Sequence, residues 1–132
     1  MGKRILKYEL GQQIIKRGDM DQRMYIILDG TVEISMNDGM KKVILSTLGR
    51  REFFGEISLF IRAPRTADVH ASAVTRLTYL DSVEELDAFL KKNHSYSNKM
   101  VKVLAQRIAS TNTLLLDELG GKKCSTYVGW SW

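Results

Sequence analysis

A change of hydrophobic period near residue 81 restricts the fold more than any other feature of this chain. Ahead of it, Val32, Ile34 and Met36 alternate with Thr31, Glu33 and Ser35, the pattern of a strand with one buried face. Residues 24–28 form a continuous apolar run of strand length. Residues 8–15 give two short strand pieces around Gly11, and Gly18-Asp19 marks a turn. Asn37-Asp38-Gly39 is a hairpin signal, with residues 43–48 returning as the partner strand. Val69, Ala71 and Ala73 alternate again, and residues 76–80 read as a last strand. Many short antiparallel strands joined by turns predict a β-sandwich or roll.

From residue 82 the spacing becomes helical. Ser82-Val83-Glu84-Glu85 is a capping box, in which the Ser82 hydroxyl accepts from the backbone and Glu85 reaches back. A short helix is predicted to about Lys92. Asn93-His94-Ser95 interrupts it, and Ser95 or Ser97 caps a longer helix ending at Gly120-Gly121. On that helix Val101, Leu104, Ile108, Thr111 and Leu115 make a narrow seam, either packed on the roll or paired with a second copy through residues 97–119. The domain is expected to span 1–119, with the roll over about 5–81 and two helices over 82–119. Residues 120–132 form a tail whose Trp130 and Trp132 either dock or hang free.

Length and composition narrow the function. The chain has 132 residues, enough for one domain with a real core. No apolar run is long enough to span a membrane, and no leader follows the basic start, so a cytoplasmic location is expected. Leu6 stands where an N-myristoylation motif wants Ser or Thr. One cysteine, Cys124, excludes an internal disulfide and any multi-cysteine metal site. The net charge of +5 suits an anionic partner, but the basic residues are spread along the chain rather than gathered into a nucleic-acid footprint.

The stretch FFGEISLFIRAPRTADVHA, residues 53–71, has the parts of a phosphate cradle. Gly55 permits close backbone approach. Residues 56–60 supply a helical turn with free N–H groups, and Ile57, Leu59 and Phe60 are expected to anchor it in the core. Pro64, the only proline, fixes the chain before Arg65, whose guanidinium can hold two phosphate oxygens. Glu56 is out of place beside an anion unless it accepts hydrogen bonds from a sugar hydroxyl. Its other reading is an acid that stabilises a helix N-terminus, paired with Arg65 when no ligand is bound.

Phe54-Gly55-Glu56, Ile57-Ser58-Leu59, Pro64-Arg65, Thr66-Ala67 and Val69 closely resemble the phosphate-binding cassette of cyclic nucleotide-binding domains. GQQIIKRGD (11–19) and MYIILDGTVEI (24–34) are similar to the family's early strands, and LAQRI (104–108) to its closing helix, so the resemblance covers nearly the whole chain in order. It implies a double-stranded jelly roll, mainly β, followed by two C-terminal helices. It also implies a regulatory sensor of cAMP or cGMP with no catalysis, cofactor or metal of its own. Glu56 would take the ribose 2′-hydroxyl and Arg65 the exocyclic phosphate oxygens. The backbone of Gly55, Glu56, Ile57 and Ser58 would line the sugar-phosphate, with Thr66 and Ala67 beside it. Thr111 and Asn112 align with a region that contacts the purine. Ligand would draw the cassette inward, and a hinge over residues 81–95 would let the long helix close and signal to a partner or dimer mate.

Arg62-Ala63 depart from the glycine turn of kinase-type members, and no helix-turn-helix lies within these residues, so no direct DNA binding is expected. Three rivals remain. A cupin-like enzyme would need a His cluster, whereas His70 and His94 stand far apart, on a strand and between helices. A sensor of another small ligand would not be expected to keep both Glu56 and Arg65, and an iron–sulfur centre needs more cysteines. A dimerisation or docking module with a vestigial pocket would use the helical seam.

Overall fold

Among the described residues, eight strands and three helices form near where the period and turn signals place them, with one strand added. The computed structural model describes residues 4–37 and 39–119, with side chains through Ser110. In chain order the elements are β1 (Leu6–Tyr8), β2 (Gln13–Ile15), β3 (Met24–Asp29), β4 (Val32–Asn37), β5 (Lys42–Leu48) and β6 (Phe53–Phe54). There follow α1 (Glu56–Phe60), β7 (Asp68–Ala71), β8 (Thr75–Leu80), α2 (Val83–Lys92) and α3 (His94–Leu119). The described residues divide into two units, 4–85 and 86–119.

The first unit holds two four-stranded antiparallel sheets, ordered β1-β8-β3-β6 and β2-β7-β4-β5. Only β4 and β5 are neighbours both in sequence and in a sheet; every other pairing joins distant parts of the chain, as a roll requires. Met24, Tyr25, Ile26 and Ile27 are all buried, which explains the unbroken apolar run of β3. Val32, Ile34, Val69, Ala71 and Leu77 complete the core from both sheets. The alternation of β4 breaks at Ser35, which is buried beside Ile34, because the register with β5 shifts between these two residues. The β3–β4 turn depends on Gly30 at φ 95, where a Cβ would lie 2.5 Å from Thr75 Oγ1 and from Val74 O. The alternation expected to reach Ala73 stops with β7 at Ala71, and Ser72 N–H bonds Thr31 O instead.

At the start of α2, Ser82 Oγ accepts the Glu85 N–H at 3.1 Å. Glu85 Oε1 reaches one residue further back than a capping box predicts, taking the Asp81 N–H at 2.7 Å. The break between α2 and α3 is Asn93 alone. Its side chain donates to Phe89 O at 2.8 Å, and its carbonyl accepts from Tyr96 and Ser97. Neither Ser95 nor Ser97 therefore caps α3, and His94 is its first residue rather than part of a loop. The expected hinge over residues 81–95 is mostly helix.

Among the described side chains of α3, Tyr96 and Met100 are buried, with Tyr96 edge-on to Phe89 at 5.3 Å. Val101 and Ile108, expected in the seam, are exposed at 66% and 62%. The side chains of Thr111 and Leu115 and the whole tail, with Cys124, Trp130 and Trp132, lie outside the described residues. No described helix is long and apolar enough to cross a membrane.

Candidate functional site

The strand β6 is only two residues long, yet both phenylalanines are fully buried, and Phe54 pairs with Tyr25 of β3 in register and in a 5.1 Å ring stack. That anchor delivers Gly55 at φ 84, a left-handed conformation suited to glycine. A Cβ there would lie 2.8 Å from Arg23 O and 2.8 Å from Arg65 Nη1. The space that Gly55 leaves open is thus filled by the protein's own arginine.

α1 runs from Glu56 to Phe60 and closes when Ile61, already extended, donates its N–H to Ile57 O at 2.8 Å. Its buried residues are Glu56 and Ser58, while Ile57 and Leu59 are half-buried and Phe60 is 55% exposed. The expected apolar anchor is therefore wrong for Phe60. Phe60 is the last residue of the turn, where Ile61 already leaves the helix as extended backbone.

The guanidinium beside Gly55 belongs to Arg65, which is 3% exposed. The backbone of Arg65 is pinned to the turn ahead of β3, its N–H bonding Asp19 O at 2.8 Å and its carbonyl accepting the Gly18 N–H at 2.9 Å. The side chain is held three ways. Nη1 donates to Gly55 O at 3.1 Å, Nη2 donates to Arg23 O, and Nη2 faces Asp21 Oδ2 at 3.2 Å. Nε is buried and has no hydrogen-bond partner among the described residues. A buried donor left open in this way is complementary to an anionic oxygen.

Asp21 organises the charges around it. Oδ1 accepts from Arg23 N at 3.1 Å and Arg23 Nε at 3.2 Å, and Oδ2 accepts the Tyr25 hydroxyl at 3.1 Å. Burial alone would push its carboxyl up; the Arg23 backbone donor and the Arg65 and Arg23 charges outweigh that and hold it below its ordinary value. Burial, with Asp21 adding to it, pushes the Tyr25 phenol up, so Tyr25 remains a donor to Asp21.

Of the residues predicted for the site, Gly55, Glu56, Ser58, Arg65 and Ala67 are buried, Ile57 is half-buried and Thr66 is exposed. Arg65 reaches the start of α1 by its bond to Gly55 O, one residue ahead of Glu56. Thr111 and Asn112 are on α3, with side chains outside the described residues. Sequence reasoning missed Asp21, Arg23 and Tyr25. The available signal was two charged residues, Asp21 and Arg23, just ahead of the apolar run of residues 24–28. A cavity of about 380 Å³ on the other sheet, lined by Leu10, Glu33, Lys42, His70 and Ser72 among others, shares no residue with this cluster. No group of three or more His, Cys, Asp or Glu among the described residues could hold a metal ion.

The model of the cyclic nucleotide-binding domain family matches residues 5–93. The cAMP-dependent protein kinase type II regulatory subunit of Drosophila melanogaster is 34% identical over 114 residues, covering 80% of this chain and 30% of that protein. A CRP-like cAMP-activated global transcriptional regulator of Mycobacterium tuberculosis is 30% identical over 109 residues, covering 81% of this chain and 48% of that one. Among solved structures, the Thermus thermophilus catabolite activator protein superposes with a TM-score of 0.72 at 29% identity, covering 88% of this chain and 54% of its own. The chain thus spans from under a third to about half of the length of the curated relatives it matches.

Proposed function

The chain belongs to the cyclic nucleotide-binding domain family, and from that premise we propose that residues 53–67 bind cAMP or cGMP at Arg65. The observation that carries this reading is the buried Arg65 guanidinium, clamped on three sides with Nε open. The cyclic phosphate takes the open edge of Arg65, and the buried Glu56 carboxylate takes the ribose 2′-hydroxyl. Gly55, Ile57, Ser58, Thr66 and Ala67 line the sugar-phosphate. Thr111 and Asn112 serve the purine. Nucleotide binding is read out through residues 82–119 by a partner or a second copy, and the domain performs no chemistry. A bound ligand moves that equilibrium only by its difference in affinity for the two states.

Calorimetric titration with cAMP and with cGMP tests this directly. Charge-assisted hydrogen bonds are worth about 1.5–3 kcal/mol, so Arg65→Ala is expected to weaken binding about 10- to 150-fold. The nucleotide with the larger heat and tighter fit identifies the base. No heat with either nucleotide up to millimolar concentration overturns the reading. It would favour a docking module built on α3, whose exposed Val101 and Ile108 are the observation for that second reading.

A further inference from the structure

The arginine of the cassette is the end of a longer series of charged and aromatic groups that the nucleotide reading does not use. Arg23 is tied to Arg65 twice over. Its carbonyl accepts from Arg65 Nη2, and its N–H and Nε hold the same Asp21 carboxylate that Arg65 faces. Beyond Asp21, the Arg23 guanidinium lies over two rings, 5.4 Å from the centre of Tyr25 and 4.7 Å from that of Tyr79. A second guanidinium, Arg4, lies 5.1 Å from the Tyr79 centre. Arg4 in turn bonds Glu85 at 2.8 Å and Asp81 at 3.3 Å. Glu85 is the residue whose carboxylate and N–H close the first turn of α2 with Asp81 and Ser82.

We propose that Arg23, Tyr79 and Arg4 are positioning residues that couple the phosphate arginine to the first turn of α2. The inference rests on the nucleotide-binding reading for its ligand. Asp21 divides one carboxylate between two cations, Oδ2 facing Arg65 and Oδ1 facing Arg23. An anion that engages Arg65 competes with Asp21 for that guanidinium, and the carboxylate's hold shifts toward Arg23. Arg23 then resettles over Tyr79, whose electron-rich face Arg4 also uses. Arg4 sits where its contact with Tyr79 and its bonds to Glu85 must be satisfied together, so a change on the ring changes its grip on the helix start. Tyr79 is the weakest joint, because it is the one place where the path depends on ring contact rather than on a charged hydrogen bond.

The test is NMR of the isotopically labelled chain, following the Arg65 Nε–H and the Glu85 backbone amide while cAMP or cGMP is added. Both signals are expected to move together in the wild type and in Tyr79→Phe, which keeps the ring. In Tyr79→Leu the Arg65 signal still moves, the Glu85 response falls to about a third or less, and affinity weakens about two- to thirtyfold, the range seen for residues on a coupling path. A Glu85 response of equal size in Tyr79→Leu, or none in the wild type while Arg65 responds, overturns the coupling. If Arg65 itself ignores both nucleotides, the binding reading has failed, and an arm without ligand decides the coupling alone. There Glu85→Gln shifts the Arg65 Nε–H resonance in the Tyr79 background and not in the Leu background. An unmoved Arg65 resonance in the Tyr79 background, or an equal shift in both, overturns it.

Discussion

Helices α1 and α2 both begin with acidic residues, Glu56 in one and Glu84 and Glu85 in the other, yet they bury opposite kinds of side chain. α2 obeys local rules. A serine caps it, acids fill its first turn, lysines its last, and its buried residue is Leu86. α1 has no side-chain cap, starts from a left-handed glycine, buries Glu56 and Ser58 and leaves Phe60 in solvent. A helix of the first kind exists because its own sequence and an apolar face favour it. A helix of the second kind exists because its surroundings hold it in place: the two phenylalanines ahead of it are buried, and the carbonyl of the glycine that starts it accepts from a buried arginine.

This contrast can be broken at α1 with the largest effect. Gly55→Ala must place a Cβ against Arg65 and Arg23 in a left-handed backbone, which is expected to cost about 2–4 kcal/mol of unfolding free energy, measured by urea titration. A loss below about 1 kcal/mol would mean the turn is not held by this close approach. Next comes Asp21→Asn, expected to cost about 1–2 kcal/mol at neutral pH through the lost charge on Arg65 and Arg23. Its pH dependence has a definite sign. The folded Asp21 carboxyl lies below its ordinary value, so its stabilisation is complete above about pH 4 and is lost as pH falls through the depressed value. Wild type and Asp21→Asn should therefore converge in thermal melts taken at successively lower pH.

At α2, Ser82→Ala removes the acceptor for Glu85 N–H and is expected to cost about 1 kcal/mol, visible as a lower thermal midpoint. The smallest effect sharpens the contrast most. Phe60→Ser on an ordinary amphipathic helix would cost several kcal/mol, but here the exposed ring should be worth no more than about 0.5 kcal/mol. A loss of 3 kcal/mol or so in the denaturation midpoint would return α1 to the ordinary kind.

What could be read from the sequence follows the same division. Strand alternation, the Asn37-Asp38-Gly39 hairpin and the Ser82 cap are local signals, and the structure has β4, β5 and α2 where they point. The strand β6 was not legible, because two phenylalanines have no period and form a strand only by pairing with Tyr25 and Ile26. The polar burial in α1 was hidden for the same reason: nothing within residues 56–60 says that Glu56 and Ser58 go inward while Phe60 stays exposed. Nothing local singles out Asp21 and Arg23, since their partner Arg65 is far away in sequence. The order of α3 was misjudged at its start because Asn93, rather than a serine, satisfies the ends of both helices.

The pairing of β1 with β8 also governs how the roll can be made on the ribosome. Leu6 and Tyr8 pair with Leu77 and Thr75, so the earliest of the described strands in chain order is among the last to be placed. The β4–β5 hairpin can close while the chain is still emerging, but the sheet containing β1 must wait until β8 is free. Such distant pairings slow folding, and they leave the nascent β1 with an unpaired edge for most of the translation of the domain.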